Sequence, residues 1–173
     1  MQPERSINAG AASTKFLKAF EYLMYHEGGY SNNQADAGGE TKYGISKRSY
    51  PHLDIKKLTQ DQARQIYFVD FWLKGKYESI NNENVALKAF DLAVNVGIPQ
   101  ANKLIQRALR STGISVTEDG IVGKITLTAI NSADSTDLLA ALKSEAAGYY
   151  RLIANISPSQ QTFINGWLRR AYS

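Results

Sequence analysis

The sequence predicts a mainly α-helical protein with a small irregular lobe, containing a short β-hairpin, directly after the first helix. Two observations predict this fold. Helix start and stop signals recur along most of the 173 residues. Residues 28–46, in contrast, carry glycine, asparagine and aspartate without any helical period. Because 43% of the residues are apolar, the chain can also build a real core.

An apolar stripe predicts the first helix and places a carboxyl group at its end. Phe16, Phe20, Leu23 and Glu27 are spaced by four, three and four residues, which is one face of a helix. Burial and the negative end of the helix macrodipole should both raise the pKa of Glu27. A carboxylic acid that stays protonated near neutral pH can act as a general acid. In the alternative interpretation Glu27 simply turns out to solvent, as charged side chains usually do.

Capping and stop signals predict two helices in the middle of the chain. Thr59 and Gln62 have the spacing of a capping box, which opens a helix that should end near Gly75. A second helix is expected from about residue 84 to 96, closed by Gly97.

Four more helices are predicted in the C-terminal part. Pro99 fits the first turn of one helix, and a short helix is expected over about 124–131. Asp134 or Ser135 can cap the long helix that follows. Ser157 and Gln160 have the spacing of a second capping box, which should open the last helix.

Composition excludes several functional classes. The chain has no cysteine, so thiol nucleophiles, disulfides and cysteine metal sites are excluded, and its two histidines form no HExxH zinc motif. We therefore expect no metal and no organic cofactor. No run of about 18 apolar residues exists, so we expect no stable membrane insertion. The net charge of +4 favours an anionic partner, although no basic block points to nucleic acid.

The polar loop after Glu27 offers a second carboxylate, Asp36, and a hydroxyl, Thr41. Glycoside hydrolysis needs an acid for the leaving oxygen and a group that handles water or positive charge. Asp36 would serve as base or electrostatic stabiliser, Thr41 would hold the water, and Tyr30 and Tyr43 would offer sugar rings an aromatic surface. In the alternative interpretation Asp36 forms a turn beside two glycines, Thr41 pins the loop backbone and Tyr43 packs in the core.

Residues 26–46, HEGGYSNNQADAGGETKYGIS, resemble the signature of the glycoside hydrolase family 108 N-acetylmuramidases, which are found in phage endolysins and secretion-linked lysozymes. The signature runs EGGY, a polar stretch, then D-x-GG-x-T-x-x-GI, with Ala37 here where the family usually has proline. The resemblance implies a lysozyme-like helical fold with Glu27 as the catalytic acid. More distantly, phage-type lysozymes have Glu, Asp and Thr in the same order, which implies the second and third roles for Asp36 and Thr41. The spacing between these two differs by one residue.

The predicted central helix carries a narrow polar stripe. Its members, spaced by four, three and four residues, are Asn84, Lys88, Asp91 and Asn95. The stripe is either a solvent-facing edge or one wall of a cleft opposite Glu27. Residues 90–97 resemble the family's central helix, and this resemblance favours a substrate-binding role for Asp91 and Asn95.

Residues 104–130 are similar to a peptidoglycan-binding motif, with LQ-x-x-L-like, DG-x-x-G and T-x-x-A elements. With the family-like C-terminus, the resemblance covers roughly residues 16–173. We expect a catalytic muramidase region at 12–97 and a helical peptidoglycan-binding-like region at 98–173 packed on it.

The resemblance implies a peptidoglycan hydrolase that cleaves the β-1,4 bond between N-acetylmuramic acid and N-acetylglucosamine, as a phage or prophage endolysin. Two alternatives stay open: a lytic transglycosylase acting on the same bond, and a non-catalytic wall-binding or secretion-assisting module. We expect a monomer whose partner is peptidoglycan. The first ten residues lack the apolar segment of a Sec signal. We therefore expect synthesis in the cytoplasm and action on the cell wall or periplasm after release by a holin-like or export partner.

Overall fold

The computed structural model describes residues 12–26 and 39–173, and their fold is mainly α-helical with one β-hairpin after the first helix. This confirms the fold class predicted from the sequence. In chain order the elements are α1 (Thr14–His26), β1 (Thr41–Lys42), β2 (Ile45–Ser46), α2 (Gln60–Tyr67), α3 (Glu83–Val96), α4 (Ile98–Ser111), α5 (Lys124–Ser132), α6 (Ser135–Ile156) and α7 (Ile164–Tyr172). A π-helix (Phe68–Leu73) follows α2, and short 3-10 helices span Ile55–Lys57, Tyr77–Ser79 and Pro158–Phe163.

The chain divides into two compact units, with the boundary between Phe68 and Val69. The helix α3, which the sequence assigned to a catalytic region ending at residue 97, lies in the C-terminal unit. The predicted division at 97/98 stays a prediction. Among the described residues, no helix is both long and apolar enough to cross a bilayer.

The N-terminal unit is built on the predicted apolar stripe of α1. Phe16 and Leu23 are fully buried and Phe20 is 5% exposed. The ring of Phe16 lies 4.9 Å from that of Phe68, and the ring of Phe20 lies 6.1 Å from that of Tyr67, measured between centroids. Contacts of this kind stabilise a core beyond the area that they bury. The stripe therefore packs α1 into the core as far as Leu23, about one turn before the helix ends at His26.

The hairpin is a two-residue turn between very short strands. Thr41 pairs with Ser46, and the two turn residues, Tyr43 and Gly44, have φ angles of 52° and 76°. Positive φ at both positions is the type I′ geometry that matches the twist of paired strands, and glycine adopts it without strain. The hydroxyl of Tyr67 donates a hydrogen bond of 2.9 Å to the carbonyl of Tyr43, which ties the turn to α2.

One predicted capping box forms and the other does not. Thr59 Oγ1 accepts from the amide of Gln62 at 3.2 Å, and Gln62 Oε1 accepts from the amide of Thr59 at 2.9 Å, so the first box is confirmed. The second prediction is wrong. The amide of Gln160 donates to the carbonyl of Ser157 at 2.8 Å, and a 3-10 helix precedes α7. The amide that the box would need is already used by the tighter backbone turn.

The C-terminal unit is a helical bundle in which α3 packs on α4 and α6, and α6 also packs on α4 and α7. Part of its core is an aromatic cluster of Trp72, Tyr77 and Phe90, with Trp72 lying 5.4 Å from Phe90 and 6.2 Å from Tyr77 between ring centroids. Trp72 Nε1 donates to Glu78 Oε2, so the indole is buried without losing its hydrogen bond.

The boundaries of the bundle helices follow the predicted signals. Gly97, at φ 84°, ends α3 and Pro99 lies in the first turn of α4. Asp134 caps α6 by accepting from the amides of Thr136 and Asp137 at 2.9 and 3.0 Å. The sequence therefore predicts these helix ends through local chemistry alone.

Candidate functional site

Three predicted site residues, Glu27, Asp36 and Tyr30, lie outside the described residues. The structure describes the elements on either side of them. The helix α1 ends at His26, and the described chain resumes at Gly39, two residues before strand β1. The roles of all three stay predictions.

Thr41 is half-buried in β1, and its hydroxyl has a defined partner. Oγ1 donates to the carbonyl of Gly39 at 3.2 Å, so the side chain pins the loop backbone, as one sequence interpretation expected. A hydroxyl has a single hydrogen but two lone pairs. Thr41 can therefore pin the loop and still accept a hydrogen bond from a water molecule.

Tyr43 presents a half-buried ring at the tip of the hairpin. The ammonium of Lys42 lies 5.4 Å from the ring centroid, within the range of a cation–π contact. The same ammonium donates to the carbonyl of Lys56 at 2.9 Å. The ring is thus only partly buried, and one face of it is contacted by Lys42. Contact between Tyr43 and a sugar stays a prediction.

A cavity of about 380 Å³ lies between α1 and α2 in the N-terminal unit. Its lining residues are Leu17, Phe20, Glu21 and Met24 of α1 with Gln60 and Arg64 of α2. The size is that of a small-molecule site, and the lining mixes apolar and charged groups. Sequence reasoning did not single out Glu21 or Arg64. Glu21 could have been found from the sequence, since it lies beside the apolar stripe six residues before Glu27, whereas Arg64 joins it only through packing of α2.

The structure places Asp91 in a buried ion-pair network between α3 and α7. Its side chain is 1% exposed, and both Nε and Nη2 of Arg170 lie 2.9 Å from Oδ1. Lys88 Nζ lies 3.7 Å from Oδ2 and also donates to the backbone carbonyl of Arg170. The middle of the polar stripe is therefore covered by α7. This differs from both sequence interpretations, a solvent-facing edge and a cleft wall.

The buried network perturbs the ammonium of Lys88. Burial lowers the pKa of Lys88 to about 8, and the carboxylate of Asp91 opposes that shift. Asp91 Oδ2 accepts no hydrogen bond from any described residue. Substrate binding by Asp91 stays a prediction, although the structure already gives its carboxylate two cationic partners.

Asn95 differs from Asp91 because its side chain is exposed, at the end of the same stripe. Asn95 Nδ2 donates to the hydroxyl of Tyr150 at 2.6 Å, and Tyr150 stacks on Trp167 with 5.4 Å between ring centroids. The described structure thus pairs a surface amide with aromatic rings of α6 and α7. The contact of Trp167 with Tyr150, the hydrogen-bond partner of Asn95, depends on tertiary packing, so no local sequence pattern could reveal it.

Comparison with known families accounts for most of the chain. Residues 20–97 match the family model described as Glycosyl hydrolase 108, and residues 100–172 match the one described as Predicted Peptidoglycan domain. No curated protein matches the chain by sequence.

Among solved structures, the chain is similar to the one titled "Structure of Brucella abortus SagA". The TM-score is 0.71 at 23% sequence identity, and the match covers 93% of this chain and 95% of that chain. At this identity the similarity shows a shared fold. The two family matches and the helical fold agree with the resemblance stated from residues 26–46 and 104–130. Residues 20–97 thus carry a glycosyl hydrolase 108 region and residues 100–172 a predicted peptidoglycan domain, and together the two matches support a glycoside hydrolase that acts on peptidoglycan.

Proposed function

We propose that this chain is an N-acetylmuramidase that hydrolyses the β-1,4 bond between N-acetylmuramic acid and N-acetylglucosamine, with Glu27 as general acid. The observation that carries the proposal is the end of α1. Its buried apolar stripe runs to Leu23 and the helix ends at His26, so Glu27 follows directly. The carbonyl end of a helix disfavours a carboxylate, and an apolar surrounding does so too. Both effects favour the protonated form that the leaving oxygen needs.

The hydrogen bonding of Thr41 supports a division of labour in the second half of the reaction. Its hydroxyl hydrogen points to the Gly39 carbonyl, so Thr41 can accept a hydrogen bond from the attacking water but cannot donate one to it. Thr41 would then orient the water, and the proton that the water loses would go to a carboxylate. We propose Asp36 as that base. If Asp36 instead stabilises the positive transition state, the Glu27 carboxylate left after protonation of the leaving oxygen takes the proton from water.

The binding roles follow the same reasoning. We propose that Tyr43, whose ring is half-exposed, and Tyr30 offer flat surfaces to sugar rings. Asn95 is the other binding residue that we propose, because its amide is exposed. Asp91 is retained only as a weaker candidate, since Arg170 and Lys88 already hold its carboxylate.

Glu27→Gln tests the proposal with Glu40→Gln as its matched control. Both variants replace one carboxylate by an amide, Glu27 directly before the polar loop and Glu40 within it. The release of soluble fragments from purified peptidoglycan should fall by about 10²–10⁴-fold in Glu27→Gln, the usual size of general acid catalysis. Glu40→Gln should retain most of the rate. Equal losses, or a loss confined to Glu40→Gln, would refute the assignment of Glu27.

The endolysin setting is a separate part of the proposal. We propose a monomer that reaches the wall through a holin-like or export partner. Co-expression with and without a holin in a bacterial host tests this, with culture turbidity as the readout. Lysis should require the holin, and lysis without it would contradict the release step.

A further inference from the structure

The surface loop of residues 117–123, directly before α5 in the C-terminal unit, is held by two buried amide side chains. Gln106 is fully buried, donates to Asp119 Oδ1 at 2.7 Å and to the carbonyl of Ile121 at 3.2 Å, and accepts from the amide of Gly120 at 2.9 Å. Asn102, 3% exposed, donates to the carbonyl of Gly120 at 3.0 Å. Two buried side chains of α4 thus hold three consecutive loop residues, 119–121, through hydrogen bonds.

The loop has little freedom to take another shape. Buried polar groups whose hydrogen bonds are satisfied specify one arrangement, because leaving any of them unpaired is costly. Gly120, at φ 77°, also sits so close to α4 that a Cβ atom there would lie 2.8 Å from the carbonyl oxygen of Pro99. The position therefore accepts only glycine on two independent grounds. A surface loop this rigid presents its outward side chains in a fixed geometry, as a binding site requires.

The rigid loop and the start of α5 enclose an open cavity of about 310 Å³. Its lining residues are Thr117, Asp119, Ile121, Gly123, Lys124, Ile125 and Thr126. Ile121 is 63% exposed and Ile125 is 79% exposed, so two large apolar side chains flank the cavity in water. Two exposed isoleucines at one cavity give it an apolar wall that an aliphatic part of a ligand can cover.

The lining of this cavity also decides what chemistry fits. It carries one carboxylate, Asp119, and one ammonium, Lys124, and both side chains belong to exposed residues. Hydrogen bonds from Gln106 and the amide of Ile121 hold the pKa of Asp119 below its usual range, so this carboxyl group stays charged. No lining residue is aromatic, so the cavity offers no flat ring on which the C–H face of a sugar could stack.

We propose that this cavity binds the peptide stem of peptidoglycan rather than its glycan strand, with Asp119 facing an ammonium group and Lys124 a carboxylate of the stem. The inference rests on the proposed function, since it names which part of the same polymer the C-terminal domain recognises. A stem peptide carries both charges close together along a short aliphatic chain. The paired charges and the two isoleucines are complementary to that combination.

An NMR titration tests the inference on the full chain carrying Glu27→Gln, which keeps the ligand intact. The two probes are a synthetic N-acetylated stem peptide containing diaminopimelate and an oligomer of N-acetylglucosamine. The peptide should shift the backbone amides of residues 117–126, and the sugar oligomer should leave them in place. Lys124→Gln and Asp119→Asn should each weaken peptide binding about two- to fivefold, the size expected for one exposed charge pair.

The variants separate the loss of a charge from the loss of the loop structure and from a general loss of positive charge. Asp119→Asn keeps the oxygen that accepts from Gln106, so the loop survives while its charge is removed. Arg151→Gln is the matched control, because it removes an exposed cation of α6 that does not line the cavity. Its affinity for the peptide should equal that of the parent.

Three outcomes would overturn the inference: shifts at residues 117–126 with the sugar alone, no shifts there with either probe, and an equal weakening in Arg151→Gln. The proposed function fails independently of these, through the cleavage assay. Peptide binding without cleavage of peptidoglycan would leave the site standing and remove the muramidase. Cleavage without peptide binding would do the reverse.

Discussion

At the scale of single residues, the buried cluster of Lys88, Asp91 and Arg170 explains why a polar stripe lies on an otherwise apolar helix. Two cations and one anion meet between α3 and α7, where desolvation opposes every charge. A buried pair is costly to break, because the remaining partner is left unpaired. The cluster therefore orients α7 against α3 more than it adds net stability.

Arg170→Gln should destabilise the fold by about 3–5 kcal/mol, because it leaves the carboxylate of Asp91 buried beside Lys88 alone. Arg169→Gln is the matched control on the same helix, since Arg169 is exposed and should change stability by less than about 0.5 kcal/mol. Urea unfolding followed by circular dichroism measures both. Equal midpoints for the two variants would show that the cluster carries no such energy.

The lowered pKa of Lys88 predicts how the stability of the fold changes with pH. Burial lowers its pKa to about 8 in the folded chain, whereas the unfolded chain keeps the proton up to about pH 10.5. Between these values the unfolded state binds more protons, so stability should rise with pH. Asp91, Arg170 and Lys143 are the charged groups around it. Tyr150, whose pKa burial raises to about 12, acts in the opposite direction only above about pH 10.

The measurement compares urea unfolding of wild type and Lys88→Met at pH 8 and pH 9.5. The free energy of unfolding of the wild type should rise by about 1–2 kcal/mol relative to the variant over this interval. Parallel changes in the two proteins would contradict a depressed pKa for Lys88.

At the scale of elements, the hairpin is the described part of the lobe that should position Thr41. Its turn is tied to α2 by the hydrogen bond from Tyr67 to the Tyr43 carbonyl. Tyr67→Phe keeps the ring that packs on Phe20 and removes only this bond. We expect a loss of about 1 kcal/mol in stability and a clear loss of activity on peptidoglycan, because the strand that carries Thr41 is released.

Tyr172→Phe provides the control for that variant, since Tyr172 is 51% exposed and is the last residue of α7. Stability from thermal unfolding and fragment release from peptidoglycan are measured together. An activity loss no larger in Tyr67→Phe than in Tyr172→Phe would separate the hairpin from catalysis.

The elements also show which features the sequence could predict. The stripe of α1, the Thr59 box and the glycine that ends α3 are local signals, and each is confirmed. The Ser157 box failed because a competing backbone turn uses the same amide. The covering of Asp91 by Arg170 could not be predicted, since those residues are 79 positions apart and meet only through packing. The positions of Glu27, Asp36 and Tyr30 stay predictions from the family signature.

At the scale of the whole molecule, two family regions share one chain with a net charge of +4. The wall polymer is anionic, so a basic protein concentrates on it before any specific contact forms. This attraction is screened by salt. Binding to the sacculus should therefore weaken as ionic strength rises, whereas the maximal rate on soluble muropeptide chains should change little.

Mass spectrometry of the fragments released from peptidoglycan in ¹⁸O-labelled water shows both which glycosidic bond is cut and whether water is the acceptor. Hydrolysis by a muramidase should give reducing N-acetylmuramic acid ends that carry one ¹⁸O atom, from wild type and not from Glu27→Gln. Anhydro ends without label would show a transglycosylase, and reducing N-acetylglucosamine ends would show cleavage of the other glycosidic bond. Either result, or intact peptidoglycan with wild type, would contradict the account.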